Sequence, residues 1–416
     1  MAACGLDFGT SNTTLGLNGP AGPHLAPVEG DAVTVPSAIF YPRITAPVIG
    51  RAAMAAYVSG EQGRLMRALK SVLGSALVDE TTAVGRTRVT FRKVIGAYIA
   101  EVKRRGEMKA DAPLDQVVLG RPVHFVDGDA AGDARAQDVL GDVAREIGFS
   151  DISFQFEPIA AALDYERQVN GEELALIADI GGGTSDFSIV RIGPERRNKP
   201  DRADDILAND GVRIGGTDFD RALSLGMVMP LLGHGSPMKR QGLSAPASLF
   251  QDLATWSSIN RLYDPRVHRS IREMERESAR PELIRRLAHV VSEERGHTLA
   301  MAAEEAKIAV SEDGRTAIDL NWLEPALAVG IVHDDLVAHT DTLSGRIARR
   351  ITQCLKAAGV KASDIDALFL TGGSTRLAHV RSAIVAMAPQ ARIVAGDTFG
   401  SVGTGLAVEA GRRYGR

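Results

Sequence analysis

An α/β fold built from two similar halves is what this sequence predicts, and three observations carry the expectation. Residues 177–190 (IADIGGGTSDFSIV) set an apolar run, a glycine turn and a second alternating run in succession, which reads as a tight β-hairpin. Residues 5–17 (GLDFGTSNTTLGL) repeat that plan near the start of the chain. Between and after them, short strand patterns alternate with helical ones. At 416 residues the chain is also long for a single core, so two domains or two similar halves is the prior.

The glycine turns carry chemistry as well as shape. Three glycines in a row, Gly181, Gly182 and Gly183, let the backbone come close to another group. Successive N–H groups on such a turn form a concavity that holds phosphate oxygens. Asp179 before the turn and Asp186 after it would repel phosphate directly. They make sense with a hard cation such as Mg²⁺, keeping several waters, between carboxylate and phosphate. Thr184 and Ser185 add hydroxyls for phosphate or water. Alone, the stretch also reads as a surface hairpin with glycines at its turn. The second copy separates the two readings: Asp7, Gly9, Thr10, Ser11 and Asn12 keep the same order, and two such turns would grip a polyphosphate and its metal from both sides.

Composition narrows the class. An apolar content of 44% and a charged content of 24% are those of an ordinary globular chain. A net charge of −4 gives no electrostatic case for a nucleic-acid partner. The two cysteines, Cys4 and Cys354, exclude a disulfide framework and a cysteine-ligated zinc site, and fit a reducing compartment. No apolar run is long enough to cross a bilayer and the N-terminus has no signal-like region, so the expectation is a soluble, cytoplasmic protein without a membrane partner.

Taken in order, the first hairpin is followed by a Pro- and Gly-rich stretch with short β pieces at 33–35 and 38–41. Residues 50–74 read as helical, with Leu65, Leu69 and Val72 on a buried face and Lys70 beside it. A strand at 87–91 precedes an amphipathic helix through Val94, Tyr98 and Val102. A buried strand at 116–120 precedes a helix through Ala136, Leu140, Val143 and Ile147, with Gly148 as its C-terminal cap. Residues 154–165 are a strand feeding an alanine-rich helix, with Pro158 in the first turn, where its missing N–H costs nothing. After the second hairpin, 191–205 reads as an exposed turn, 206–214 as a strand, and Gly215 and Gly216 as a turn opening a helix. From 227 to 297 the signals weaken into irregular structure and then Arg/Glu-rich helices, a solvated surface. Helices at 300–310 and 336–354 flank a strand at 316–320. The strand at 366–371 ends in Gly372, Gly373 and Ser374, with Ser374 as the expected N-cap of a helix through Leu377, Val380, Ile384 and Met387. N–H groups at that helix start would hold another polar part of a ligand. A strand at 392–395 and an alanine-rich helix from Gly403 end the chain.

Two hairpins, each followed by α/β crossovers, resemble the actin-like ATPase (ribonuclease H-like) fold. Residues 5–16 and 177–190 resemble the two phosphate motifs of the heat-shock protein 70 family (DnaK type). Residues 368–384 (LFLTGGSTRLAHVRSAI) resemble its adenosine motif, and Glu157-Pro158 with 159–163, and 403–410, its two connecting helices. The resemblance spans essentially the whole chain. It implies two similar lobes around a nucleotide cleft, lobe I over 1–170 and lobe II over 171–416 with a helical insert around 227–310, and ATP or ADP with Mg²⁺ as ligands.

Position by position, the resemblance implies that Asp7, Gly9, Thr10, Ser11 and Asn12 hold phosphate from one side. Gly181, Gly182, Gly183 and Thr184, with Gly215 and Gly216, hold it from the other. Asp7, Glu157 and Asp179 would bind the metal largely through water, Asp186 with Thr184 would place the attacking water, and Lys70 matches the catalytic lysine. Gly372, Gly373, Ser374 and Arg376 would hold the nucleoside, and Glu304, Lys307 and Ser311 would grip it from the far lobe. Ile308 stands where the family has an arginine, which implies altered adenine packing, and Asn12 replaces its usual aromatic residue.

The chain ends just after the second connecting helix, as in the short YegD-like members, so no direct binding of unfolded peptides is expected. A protein partner reading lobe closure, at 227–297, would carry any output. The implied activity is a slow, Mg-dependent ATPase of chaperone type. A sugar or polyol kinase of the same superfamily and an actin-like scaffold or filament protein are the alternatives.

Overall fold

The chain opens with the expected hairpin. In the computed structural model, which describes residues 2–19, 21–85, 87–197, 199, 203–396 and 400–415, β1 (Ala2–Phe8) and β2 (Asn12–Gly19) pair antiparallel with Phe8 opposite Thr13. Both β3 (Gly22–Leu25) and β4 (Thr34–Pro36) pair with β2. A small separate sheet follows, in which β5 (Ala38–Pro42) lies between β6 (Val48–Ile49) and β7 (Gly63–Arg67), with α1 (Arg51–Val58) in the connection. A second hairpin, β8 (Thr81–Val84) and β9 (Thr87–Thr90), leads into α2 (Phe91–Ala110), whose Lys93 N–H is capped by the Thr90 hydroxyl. Then β10 (Leu114–Arg121) adds parallel to β1, α3 (Ala130–Glu146) crosses over, and β11 (Asp151–Phe156) adds parallel to β10. The sheet order is β11-β10-β1-β2-β3. Leu6, Phe8, Leu15, Tyr98, Val102, Leu119 and Leu140 form the core between this sheet and its helices.

The helix expected over 50–74 is a correction. Only α1 is helical there. Met66, Leu65 and Arg64 instead pair with Ile39, Phe40 and Tyr41 in the small sheet. Ala68, with φ of 54°, then reverses the backbone into a 3₁₀ turn at Leu69–Val72 that carries Lys70. Leu65, Leu69 and Val72 are buried as expected, but from a strand and a turn. Short apolar runs fit either period, and here pairing with β5 decides.

A second sheet begins after α4 (Glu157–Glu166), which has its proline in the first turn and is buried along most of its length. Its hairpin is β12 (Glu173–Ile180) and β13 (Ser185–Ile192), with Asp179 opposite Asp186, and β14 (Ile206–Val212) pairs with β13. The exposed turn expected at 191–205 falls partly on residues outside those described.

The chain divides into two compact units, Met1–Gly216 with Gly345–Arg416, and Thr217–Ser344. In the second unit, α5 (Gly216–Leu223, from its second residue) runs into a π-helical turn at Ser224–Val228. Next come α6 (Ala247–Leu253), α7 (Pro265–Glu277), α8 (Pro281–Ser292) and α9 (Gly296–Asp313). Ile271, Met274, Ile284 and Leu287 are buried while much of the Arg/Glu-rich remainder faces solvent, as the alternation of 261–295 implies. Strand β15 (Arg315–Asp319) pairs with β16 (Ala328–Val332), which the sequence reading did not place, and α10 (His333–Ala358) follows.

Back in the first unit, β17 (Ala367–Thr371) adds parallel to β12 and β18 (Arg392–Ala395) parallel to β17, completing the order β14-β13-β12-β17-β18. Between these two strands lies α11 (Ala378–Val385), and the last helix is α12 (Ser401–Tyr414). Ser374 is not the N-cap of α11; that position is Leu377, because residues Gly373–Arg376 form a 3₁₀ turn of their own. Helices α4 and α12 pack on each other between the two sheets, α12 against β1, β2 and β10, α4 against β12 and β13. Ile159, Ala160, Tyr165, Ile177, Phe369, Leu406 and Ala410 fill that core. Among the described residues no helix is long and apolar enough to cross a membrane.

Candidate functional site

The two glycine turns of the first unit touch. A Cβ on Gly183 would sit 2.6 Å from the Thr10 hydroxyl oxygen, and one on Gly182 would sit 2.9 Å from the Ser11 Cβ. Neither distance leaves room for a side chain, which is the physical reason for glycine at both positions. Within the second turn the Gly181 N–H donates to the Thr184 carbonyl at 2.9 Å, and the Gly216 N–H donates to the Gly181 carbonyl at 2.9 Å. The Ser374 hydroxyl donates to that same carbonyl at 3.3 Å. Gly215 lies against the backbone of Gly182 and Gly183, and Gly372, at φ +83°, against Asp179 and Ile180. The structure therefore brings Thr10, Ser11, Gly181–Thr184, Gly215, Gly216, Gly372, Gly373 and Ser374 into one neighbourhood, with Gly9 and Asn12 at the ends of the first turn. Arg376 lies at the exposed end of its 3₁₀ turn.

Beside the turns stand the acidic groups at the strand ends. Lys70 and Glu157 form a buried ion pair across 87 residues of sequence. Glu157 opens α4 against β10, since a Cβ on Gly120 would meet its Cγ at 3.3 Å and the Asp7 Cα at 3.6 Å. Burial, then the Glu157 charge, push the Asp7 carboxyl up to about 7 against the pull of Lys70. Asp186 also rises to about 7, through burial and then Glu157, although the Thr184 hydroxyl and the Val123 N–H (2.7 Å) bond to it. Asp179 rises well above the usual carboxylate range, through burial and then Glu157, Asp186 and Asp7. Burial alone would lower the Lys70 ammonium, but Glu157, Asp7 and Asp186 outweigh it and the net shift is upward. Four carboxylates facing one ammonium in a buried site leave excess negative charge that a cation would relieve.

That donor set suits Mg²⁺, an oxygen-seeking hard cation. Among the described residues, no three His, Cys, Asp or Glu side chains converge as direct ligands.

In the second unit, Glu304, Lys307 and Ser311 lie on α9. Lys307 makes a buried ion pair with Asp220 at 2.7 Å. The Ser311 hydroxyl donates to the Ile308 carbonyl at 2.8 Å, and the Ile308 side chain is exposed.

Three supporting residues escaped the sequence reading. Val123 holds Asp186 through a backbone N–H, which no side-chain motif can announce. Arg213 donates to the Ser71 carbonyl, next to Lys70, at 3.1 Å, and its own N–H donates to Asp127. Ser37 contacts the first turn. Its one legible signal is a polar residue between two apolar β pieces.

Residues 3–228 and 290–415 match the family model described as Hsp70 protein. The chain is 24% identical to chaperone protein DnaK of Elusimicrobium minutum, over 98% of this chain and 57% of that protein. It is 26% identical to chaperone protein DnaK of Akkermansia muciniphila (91% and 53%) and 25% identical to a chaperone protein HscA homolog of Azotobacter vinelandii (98% and 57%). The chain spans about half the length of these curated relatives. Matching from both ends and interrupted only across the helical stretch between 228 and 290, this sequence belongs to the Hsp70 family and carries its actin-like ATPase fold.

Proposed function

We propose that the protein binds ATP and ADP with Mg²⁺ and hydrolyses ATP slowly, as a nucleotide-binding module of chaperone type. One observation carries the reading: two interlocked glycine turns are flanked by four carboxylates around the Lys70 ammonium, Glu157, Asp179 and Asp186 buried and Asp7 partly so. The chaperone names of the relatives support the cellular side of it. The sheets also support a division into lobes near residue 170, because all strands of one precede it and all strands of the other follow it.

In this reading Gly9, Thr10, Ser11 and Asn12 hold the β- and γ-phosphates from one turn, and Gly181, Gly182, Gly183 and Thr184 from the other, with Gly215 and Gly216 in support. Asp7, Glu157 and Asp179 hold the cation, which neutralises phosphoryl charge when bound. Asp186, kept in place by Val123 and Thr184, orients the attacking water and accepts its proton at a carboxylate oxygen. Lys70, aimed by Glu157, stabilises negative charge on the transferred group. Gly372, Gly373, Ser374 and Arg376 approach the nucleoside.

Thermal unfolding tests the reading. A ligand at a hundred times its Kd adds about 2.7 kcal/mol, so the melting temperature rises with ADP or ATP plus Mg²⁺ and rises less with EDTA. No shift at millimolar nucleotide would refute it.

A further inference from the structure

The first glycine turn is pinned from behind by a residue outside every motif. Ser37 lies between β4 and β5 and has no exposed surface. Its N–H donates to the Ser11 carbonyl at 2.8 Å, and its hydroxyl donates to the Gly9 carbonyl at 2.7 Å. The same Oγ lies 2.9 Å from the Thr13 hydroxyl oxygen. A serine hydroxyl has one proton, already given to Gly9, so Thr13 is the donor in that last bond. Tyr98 closes the arrangement behind, donating to the Pro36 carbonyl at 3.1 Å. One buried residue thus holds the carbonyls of both Gly9 and Ser11.

The consequence follows from peptide geometry. In a planar trans peptide the carbonyl and the next N–H point opposite ways, and the described residues contain no cis bonds. With the Gly9 carbonyl tied to Ser37, the Thr10 N–H must point away from it. A full flip is barred, because it would carry the β-branched Thr10 to positive φ, but glycine on the N-terminal side lets the peptide tilt, so without the Ser37 bond the Thr10 N–H loses its fixed direction.

We propose that Ser37 is a positioning residue for the first turn, locking the Gly9–Thr10 peptide so that the Thr10 N–H stays presented to a nucleotide's phosphate oxygens. This rests on the nucleotide reading above and adds a determinant of affinity that touches no ligand itself.

The test compares the parent protein with Ser37→Ala, Ser37→Cys and Ser37→Thr, reading the Kd for MgATP by titration and the melting temperature without ligand. Ser37→Ala is expected to weaken MgATP about tenfold, the worth of one buried hydrogen bond. Ser37→Cys, which keeps the volume but donates weakly, follows it and serves if the alanine variant does not fold. Ser37→Thr, which retains the hydroxyl, restores affinity to within about twofold of the parent, given that difference of about tenfold to recover. A merely structural role predicts a lower melting temperature with Kd unchanged in Ser37→Ala or Ser37→Cys, and that result overturns the inference. A parent that binds no MgATP refutes the nucleotide reading, and the inference with it. A parent that binds while the variants bind equally well refutes the inference alone.

Discussion

The crowding of carboxylates makes a prediction about the protein without ligand. Asp7 is raised from 3.8 to about 7 in the folded state. The unfolded chain therefore gives up this proton first, and folding stability falls as pH rises from about 4 through 7. Replacing Asp7 by Asn removes that penalty. Treated as one isolated site, the gap between the variant's and the parent's unfolding free energies should widen by about 2–3 kcal/mol between pH 5 and pH 8. The attraction to Lys70, which grows as Asp7 ionises over that range, is already contained in the value of about 7. The assay is chemical denaturation of both proteins in EDTA at about pH 5 and about pH 8. Asp7→Asn should gain on the parent at the higher pH. A gap that stays constant, or narrows, with rising pH would show that Asp7 is ionised at no cost, and the electrostatic account of the site would fail.

Other outcomes test separate parts. Lys70→Ala, which removes stabilisation of charge developing in the transition state, and Thr184→Ala, which loosens Asp186, should each slow single-turnover ATP hydrolysis by about a hundredfold with a much smaller loss of MgATP binding. Parental rates in Lys70→Ala would remove it from the site. Gly183→Ala places a carbon 2.6 Å from the Thr10 hydroxyl and should cost about 1–3 kcal/mol in urea unfolding. An unchanged midpoint would mean the two turns are not in contact.

The hairpins were legible because their pattern is local: strand alternation, turn and acidic flank all fall within some fourteen residues or fewer, the length of the 177–190 stretch. Pro158 and Gly148 are equally local signals, and they mark the start of α4 and the end of α3. The region 50–74 departs from its helical pattern because a helical stripe and a strand edge both accept Leu65, and the arbiter, pairing with Phe40, lies 25 residues upstream. Strand β16 buries only Ile331 on its inner face and so offers almost no period to read. Ser374 looked like a cap because it precedes a helix, yet its hydroxyl turns to Gly181, 193 residues earlier. Site roles for Lys70 and Glu157 come only from family likeness, and their ion pair with each other is not readable in the sequence at all. No local rule joins a lysine on a 3₁₀ turn to a glutamate on α4.

Where α12 crosses α4, and where it lies on β1 and β2, the chain meets itself with no room for a further side chain. A methyl at Gly405 would enter the Ala160 carbonyl, one at Gly5 the Leu406 backbone, and one at Gly403 the Thr14 hydroxyl. Such contacts have an alphabet of one: no conservative replacement exists, because the smallest side chain is already too large. A randomised library over the buried face of α12 should therefore return 405 and 403 as glycine even when every polar and charged position around them drifts. The solvent-facing Arg and Glu of α7 and α8 would tolerate nearly anything. Sequence tolerance in this protein is lowest where the residues have the least chemistry of their own, and an engineer seeking to loosen or stiffen the join between its two sheets has backbone, not side chains, to work on.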